Sequence, residues 1–356
     1  MVMMLLVMVS GFLLSSATPA VGQGDTFTVT PDNALTNLFA SYGNTKSGWV
    51  GGDGTRAVAL PDGRTVWFFN DTQIRTVKPS GRASAITLVH NSAVIQNAQG
   101  ALVQTLFSTG TNRRRAYVNL SPYQASRWIW PASTLVSNGT LYVMYSEERG
   151  RRTFHQKWSG GYVATFALPS LEMTGMYPIA AKTINWTQDL LADADGFTYI
   201  YGMGGGETYV ARTPSSSPLN DQSQWSYFDG TGWSSQQSAA TSISGSLDSE
   251  FSVTAVGSQY VLISKVPNSL YEGDIDAYVA SSPTGPFVNG EPIYQTPGQS
   301  GRFKIYAYNA HVQPELTTTQ GDQSTLVVSY DIDSLGIVGQ PTAYRPRFLF
   351  VTVNNS

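Results

Sequence analysis

Apolar and polar residues alternate in short runs along most of the chain, and Gly, Asn, Asp and Ser separate the runs from Trp49 onward. That period of two predicts strands joined by tight turns. No long amphipathic helix is predicted. One weakly helical stretch, Asn33 to Phe39, lies in a polar lead-in expected to pack on the outside.

One unit recurs: a strand, a tight turn, and a second strand ending in a polar residue. Its second strand begins at Thr65, Thr140, Phe197, Gln259 and Thr325, with starts 75, 57, 62 and 66 residues apart. The preceding turns are Pro61-Asp62-Gly63, Ser137-Asn138-Gly139, Asp195-Gly196, Val256-Gly257-Ser258 and Gln320-Gly321-Asp322. Further strands fit at His90 to Ile95, Ala101 to Phe107, Tyr162 to Phe166, Thr208 to Ala211, Ala277 to Ala280 and Arg347 to Val353. Five copies predict an all-β fold, a five-bladed β-propeller over residues 48–356 with a short N-terminal lead-in over 21–47. A β-sandwich or a two-domain β protein is the structural alternative.

The first copy carries the most chemistry. Pro61-Asp62-Gly63 closes a hairpin in which Leu60 faces Arg64 and Val58 faces Val66. Extending that register sets Asp53 across from Asp71. Like charges directly opposite on a strand pair are destabilising. Either the two are a turn residue and a strand-end cap, or they are a carboxylate pair of the kind that breaks glycosidic bonds, in which proximity raises one pKa. Strands that line one axis begin at a shared mouth, so Asp53, Trp128 to Pro131, Trp186, Glu250, and His311 with Glu315 are expected to converge there. The second-strand ends add Asp71, Glu147 or Glu148, Tyr201 and Asp331. Acids and aromatics collected at one end favour the functional reading.

Residues 1–20 hold an apolar run followed by Ser-Ser-Ala-Thr-Pro-Ala, too short to span a membrane, which predicts a secretory signal although a basic n-region is missing. The chain is therefore expected to be secreted, extracellular and soluble. It has no Cys, which excludes thiolate catalysis and Cys metal sites, and a net charge of −3 argues against nucleic acid as a partner. The arginines at 113–115 and 149–152 are expected on solvated loops. Tyr, at 19 copies, is the commonest aromatic, and exposed aromatics suit stacking on sugar rings. Sequons stand at Asn119, Asn138 and Asn185.

Several further segments bear on family. These are Trp49-Val-Gly-Gly-Asp-Gly54, Leu60 to Trp67 ending in Asn70-Asp71-Thr72, Val89-His-Asn-Ser92, Trp130-Pro131, Glu250-Phe-Ser252, Ser282 to Pro286, Tyr308-Asn-Ala-His311 and Tyr344 to Phe348. Falling in this order from Trp49 to Val353, they resemble secreted actinobacterial propeller proteins, a long-uncharacterised group similar to the glycoside hydrolases that include endo-D-arabinanases of mycobacterial arabinan. The resemblance implies a five-bladed propeller with a catalytic aspartate pair in its first blade, at Asp53 and Asp71.

The expected enzyme is a glycoside hydrolase acting on a furanose-rich polysaccharide, without a required cofactor or metal, as a monomer whose partner is a poly- or oligosaccharide. The rivals are a lectin-like binding propeller and a pure interaction scaffold. Glu250 is the candidate third acid, with a salt bridge as its alternative. His90 and His311 are candidates for ligand contact, Trp130, Tyr201 and Tyr308 for sugar contact, and Asn91, Asn309 and Arg345 for hydroxyl recognition or bracing. Asp331-Ile-Asp333 resembles half of a calcium site, with solvated turn acids as the alternative.

Overall fold

The computed structural model describes residues 27–44, 48–75, 85–108, 116–150, 156–181, 183–248, 250–266, 273–297, 304–335 and 343–354. The expected leader at 1–20 and the arginines at 113–115 and 151–152 lie outside the described residues. Within them, strands form six antiparallel sheets.

All five repeat strands predicted from the sequence stand second in a sheet. The first sheet runs Arg56–Ala59, Thr65–Phe69, Ser92–Gln96 and Leu102–Leu106, and the second Arg127–Ser137, Thr140–Arg149, Lys157–Ala167 and Glu172–Pro178. The third runs Asn185–Ala192, Phe197–Gly204, Glu207–Pro214, Ser226–Phe228 and Trp233–Ser234. The fourth runs Phe251–Val256, Gln259–Lys265, Asp274–Ala280 and Glu291–Gln295. In the fifth, Lys304–Val312, Gln323–Leu335 and Arg347–Asn354 are followed by Phe27–Pro31, which comes from the other end of the chain. Apolar side chains fill the space between consecutive sheets, giving one core between each pair and a further one between the fifth and the first.

First strands of neighbouring sheets are joined by side chains rather than by a backbone ladder. Thr134 donates to the Ala57 carbonyl at 3.1 Å, Ser133 to the Thr187 carbonyl at 3.3 Å, and the Val253 N–H to Asp189 at 2.7 Å. The Val312 N–H donates to Ser252 at 2.8 Å, and the Ala57 N–H to Gln313 at 2.7 Å. Polar residues on these inner strands therefore satisfy backbone groups that would otherwise be buried without partners.

The sixth sheet, Gly48–Gly52, Thr72–Arg75 and Thr87–Val89, continues the first. Gly52 pairs with Thr72 in the register that pairs Val58 with Val66, and Thr72 with Val89 in the register that pairs Phe69 with Ser92. What separates the two sheets is a break at one level in all three strands, at Asp53–Thr55, Asn70–Asp71 and His90–Asn91. Gly54 makes the break: its φ is +64°, and a Cβ there would lie 2.2 Å from the Asn70 side chain.

The lead-in does more than pack on the outside. Phe27–Pro31 is an edge strand of the fifth sheet, so the sheet framework extends into the segment assigned from sequence to the lead-in. The helix Asn33–Tyr42 is capped by Asp32, which accepts the Leu35 N–H at 2.9 Å. Phe39 is fully buried against Trp49, Trp67, Phe69 and Phe348, a burial that contributes about 2–3 kcal/mol. One aromatic in a polar segment leaves little periodic signal, which is why the sequence put it outside. Among the described residues no helix is long and apolar enough to cross a membrane.

Candidate active site

The break in the first sheet opens onto a cleft of about 1190 Å3 to which all five larger sheets or their flanking loops contribute. Asp53 and Asp71 face it together. The hairpin register holds up to this point through the backbone: the Asp53 N–H donates to the Asp71 carbonyl at 3.3 Å, and the Asn70 N–H to the Asp53 carbonyl at 2.7 Å.

The two carboxyls have different surroundings. Asp53 accepts the Tyr308 hydroxyl on Oδ2 at 2.8 Å, while its Oδ1 is buried without a partner. Burial pushes its pKa well above the usual carboxylate value, reinforced by the charges of Asp71 and Asp331 and partly opposed by the Tyr308 hydrogen bond. Asp71 instead accepts two N–H donors on Oδ1, His90 Nδ1 and Trp130 Nε1, each at 2.9 Å. Since a carboxylate only accepts, His90 carries its proton on Nδ1 in this arrangement. The Tyr344 hydroxyl fixes the backbone below, donating to the Asp71 carbonyl at 3.0 Å.

Behind the pair lies Asp331, itself buried. It accepts the Gly54 N–H at 2.7 Å, the Thr55 hydroxyl at 3.1 Å and the Asn309 amide at 3.2 Å. Burial, with the charge of Glu250, pushes its pKa up to about 7 despite these donors. Its two oxygens are thus committed to protein groups that flank Asp53 and Tyr308. Asp333 also lines the cleft and accepts the Tyr306 hydroxyl at 3.0 Å. Among the described residues, no group of three or more His, Cys, Asp or Glu side chains is placed to hold a metal ion.

Glu250 takes the salt-bridge alternative. It pairs with the buried Arg56, whose guanidinium also donates to the Ala132 carbonyl at 2.6 Å and to the Thr55 carbonyl at 2.9 Å. One arginine thus ties the first, second and fourth sheets at the cleft floor.

Of the residues singled out from sequence, Asp53, Asp71, His90, Trp130, Glu250, Tyr308 and Asn309 line the cleft. Asn91, Tyr201, His311 and Arg345 do not. Asn91 is buried and spends its amide on Val118 and Ile129, bracing the first sheet to the second. Tyr201 is fully buried in the core between the third and fourth sheets, and its hydroxyl donates to the Pro283 carbonyl at 2.9 Å. His311 lies far along Lys304–Val312 rather than at its head; Nδ1 donates to the Val312 carbonyl at 2.6 Å and Nε2 faces Asp189 at 3.3 Å. Burial and the Arg56 charge lower its pKa. Arg345 ties the lead-in helix down, donating to the carbonyls of Val50 and Ala40 at 2.8 and 2.6 Å. Trp186, expected at the mouth, is core, and Glu315 stands in a short 3-10 turn beyond the inner strand.

Trp128 and Glu148, expected at the mouth from the strand ends, also line the cleft, whereas sequence reasoning passed over Trp158, Arg56 and Tyr344 as site residues. Trp128 shares the parity of Trp130 two positions on, and stacks on His90 with ring centroids 4.7 Å apart and planes 16° from parallel. Trp158 stands in a segment without a repeat signal.

Residues 36–354 match the family described as "Domain of unknown function (DUF5005)". No curated protein matches the chain. Among solved structures, the chain is similar to a provisionally assigned hydrolase from Bacteroides ovatus, at 20% identity and a TM-score of 0.73 over 93% of this chain and 91% of that one. Weaker likenesses include an exo-1,5-alpha-L-arabinanase from a bovine ruminal metagenomic library, at 12% identity and TM-score 0.49 over 84% of this chain and 92% of that one. A GH43 endo-arabinanase from Bacillus licheniformis follows, at 14% identity and TM-score 0.43 over 83% and 97%.

Proposed function

The chain belongs to the DUF5005 family, and from the geometry of its cleft we propose that it is a glycoside hydrolase working through Asp53 and Asp71. The observation that carries this reading is the unequal pair: two carboxyls across one strand pair in an open, aromatic-walled cleft, one favoured in its neutral form and the other bound by two N–H donors. Asp53, protonated, donates its proton to the leaving glycosidic oxygen. Asp71, as the carboxylate, takes a proton from the attacking water or attacks the anomeric carbon itself, and the His90 and Trp130 N–H groups hold it in place. Tyr308 orients Asp53 through its Oδ2.

The side-chain links between successive inner strands, and the core between the fifth and first sheets, support a five-bladed propeller with the first and sixth sheets as one blade. The ordered motifs favour a furanose-rich glycan of the D-arabinan type as substrate. No metal enters the chemistry as drawn. The apolar N-terminal run supports export, and a monomer suffices because every proposed group comes from one chain.

Reducing-end release from arabinan, arabinogalactan, xylan and mannan tests the reading, with Asp53→Asn and Asp71→Asn beside the parent. Cleavage of one polymer, lost in both folded variants, is expected, and the anomer first formed distinguishes direct attack from water activation. Glycan binding without cleavage by the parent would replace the hydrolase with a lectin-like propeller.

A further inference from the structure

Three adjacent strands of the second sheet place Trp128, Glu148 and Trp158 in one row. Glu148 pairs directly with Trp128 on one side and with Trp158 on the other. Directly opposed residues share a face of the sheet, and all three side chains line the cleft. Two strand spacings put the indole-bearing backbones about 9.5 Å apart. A sugar ring in contact with aromatic rings on both sides needs about 7–8 Å between them, two van der Waals contacts.

The row is built rather than incidental. Trp128 is held from behind by the His90 stack and by an edge-on contact with Trp130 at 6.0 Å. Glu148 Oε1 accepts the Ser146 hydroxyl at 3.0 Å, and Ser146 in turn accepts the Asn185 amide at 3.3 Å. Among the described residues nothing binds Oε2. Glycine at 150, just past the end of that strand, leaves the Trp128 ring clear of a side chain; a Cβ there would lie 3.3 Å from it.

We propose that Trp128, Glu148 and Trp158 form a sugar subsite distinct from the Asp53/Asp71 pair, holding one neutral ring between the indoles with its hydroxyls bonded to the Glu148 carboxyl. This deepens the hydrolase reading and rests on it for the identity of the ligand. His90 and Trp130 both bond Asp71 and both pack on Trp128, so the subsite lies one aromatic layer from the pair. A ligand that fills both places is a chain of sugars rather than a single glycoside. The lining holds more acids (53, 71, 148, 248, 250 and 333) than bases (Arg56 and Lys265), which disfavours uronate or phosphorylated rings. Burial pushes the Glu148 carboxyl up to about 7, so near neutrality it both donates to and accepts from hydroxyls.

Calorimetric titration of arabino-oligosaccharides, from di- to hexasaccharide, into an Asp53→Asn background reads binding without turnover. Affinity is expected to rise with length, and Trp158→Ala or Glu148→Ala to remove about tenfold of that gain, the size of one aromatic contact. Trp158→Phe should restore most of it, which separates a lost platform from a misfolded wall. An equal loss at every length, no change, or no binding by the background protein would each overturn the subsite. Turnover by the parent with an unaltered length dependence in the variants sinks the subsite alone. A length dependence carried by Trp158 in a parent that cuts nothing sinks the hydrolase and leaves the subsite.

Discussion

Glu147 and Glu148 are neighbours on one strand and face opposite ways, and their surroundings could hardly differ more. Glu147 points away from the cleft, where Arg127 grips it with two bonds at 2.7 and 2.8 Å and Ser159 and Tyr162 each donate at 2.8 Å. Burial works to raise its pKa, but these four donor contacts hold it at about 2. Glu148 faces the cleft with one hydroxyl donor, and burial, aided by the Glu147 charge, pushes it up to about 7. A carboxyl whose oxygens are all engaged belongs to the scaffold. One left short of partners is open to a ligand. The same division separates Asp53, with a bare Oδ1, from the Asp189 carboxyl that receives the Val253 N–H deep between the third and fourth sheets.

If this division is correct, cleft-facing acids control turnover and those engaged within the scaffold control stability. The largest effect is expected at the pair. Asp53→Asn and Asp71→Asn should each lower kcat/KM by about 10²–10⁴, the usual worth of general acid–base groups. Thermal unfolding of Asp53→Asn should hold or rise slightly, because burial at that position favours a neutral side chain. Next comes Arg127→Ala, which removes the nearer counter-charge of the mostly buried Glu147 and leaves Arg149 at 3.6 Å. Denaturant unfolding should show a loss of about 2–4 kcal/mol, below the top of the range for buried pairs because Arg127 is partly exposed and Ser159 and Tyr162 remain. Its activity per folded molecule should stay within about twofold of the parent. A folded Arg127→Ala protein that loses more turnover than Asp71→Asn would abolish the distinction.

How far the sequence reached follows the same line. The hairpin at Pro61-Asp62-Gly63 was legible because turn chemistry fixes register, and register then carried the argument from Val58 and Val66 out to Asp53 and Asp71. The five second strands were legible because each follows a glycine-bearing turn. Polar residues on strands were misread: Tyr201 bonds the Pro283 carbonyl and His311 faces Asp189 of the third sheet instead of the cleft, since polarity at a strand position does not reveal which of two packed sheets it serves. Arg345 and Asn91 carry the same lesson for loops, where braces and ligand contacts use the same residue types. Trp158, and the choice of Glu148 over Glu147, needed the cross-strand register of the second sheet, including its shift between Glu147 and Glu148, and a shift of that kind leaves no mark in the sequence.

The smallest effect gives the sharpest comparison, because the two glutamates should respond to pH with opposite sign. For Glu147 the folded pKa, about 2, lies below the ordinary 4.5, so its contribution is present above pH about 4.5 and is lost as pH falls toward 2. Glu147→Gln should therefore be less stable than the parent at neutrality by about 1–3 kcal/mol, with the gap closing in acid. For Glu148 the folded pKa, about 7, lies above 4.5, so its contribution is full in acid and is lost as pH rises from 4.5 through 7. Glu148→Gln should match the parent near pH 4 and exceed it by about 1–2 kcal/mol near pH 8, where the parent holds a charge with one donor. Unfolding free energies of both variants across that range read the two signs directly. A Glu148→Gln protein that is less stable than the parent at pH 8 would mean that its carboxyl is as well supported as that of Glu147, and the cleft-facing acid would then be scaffold.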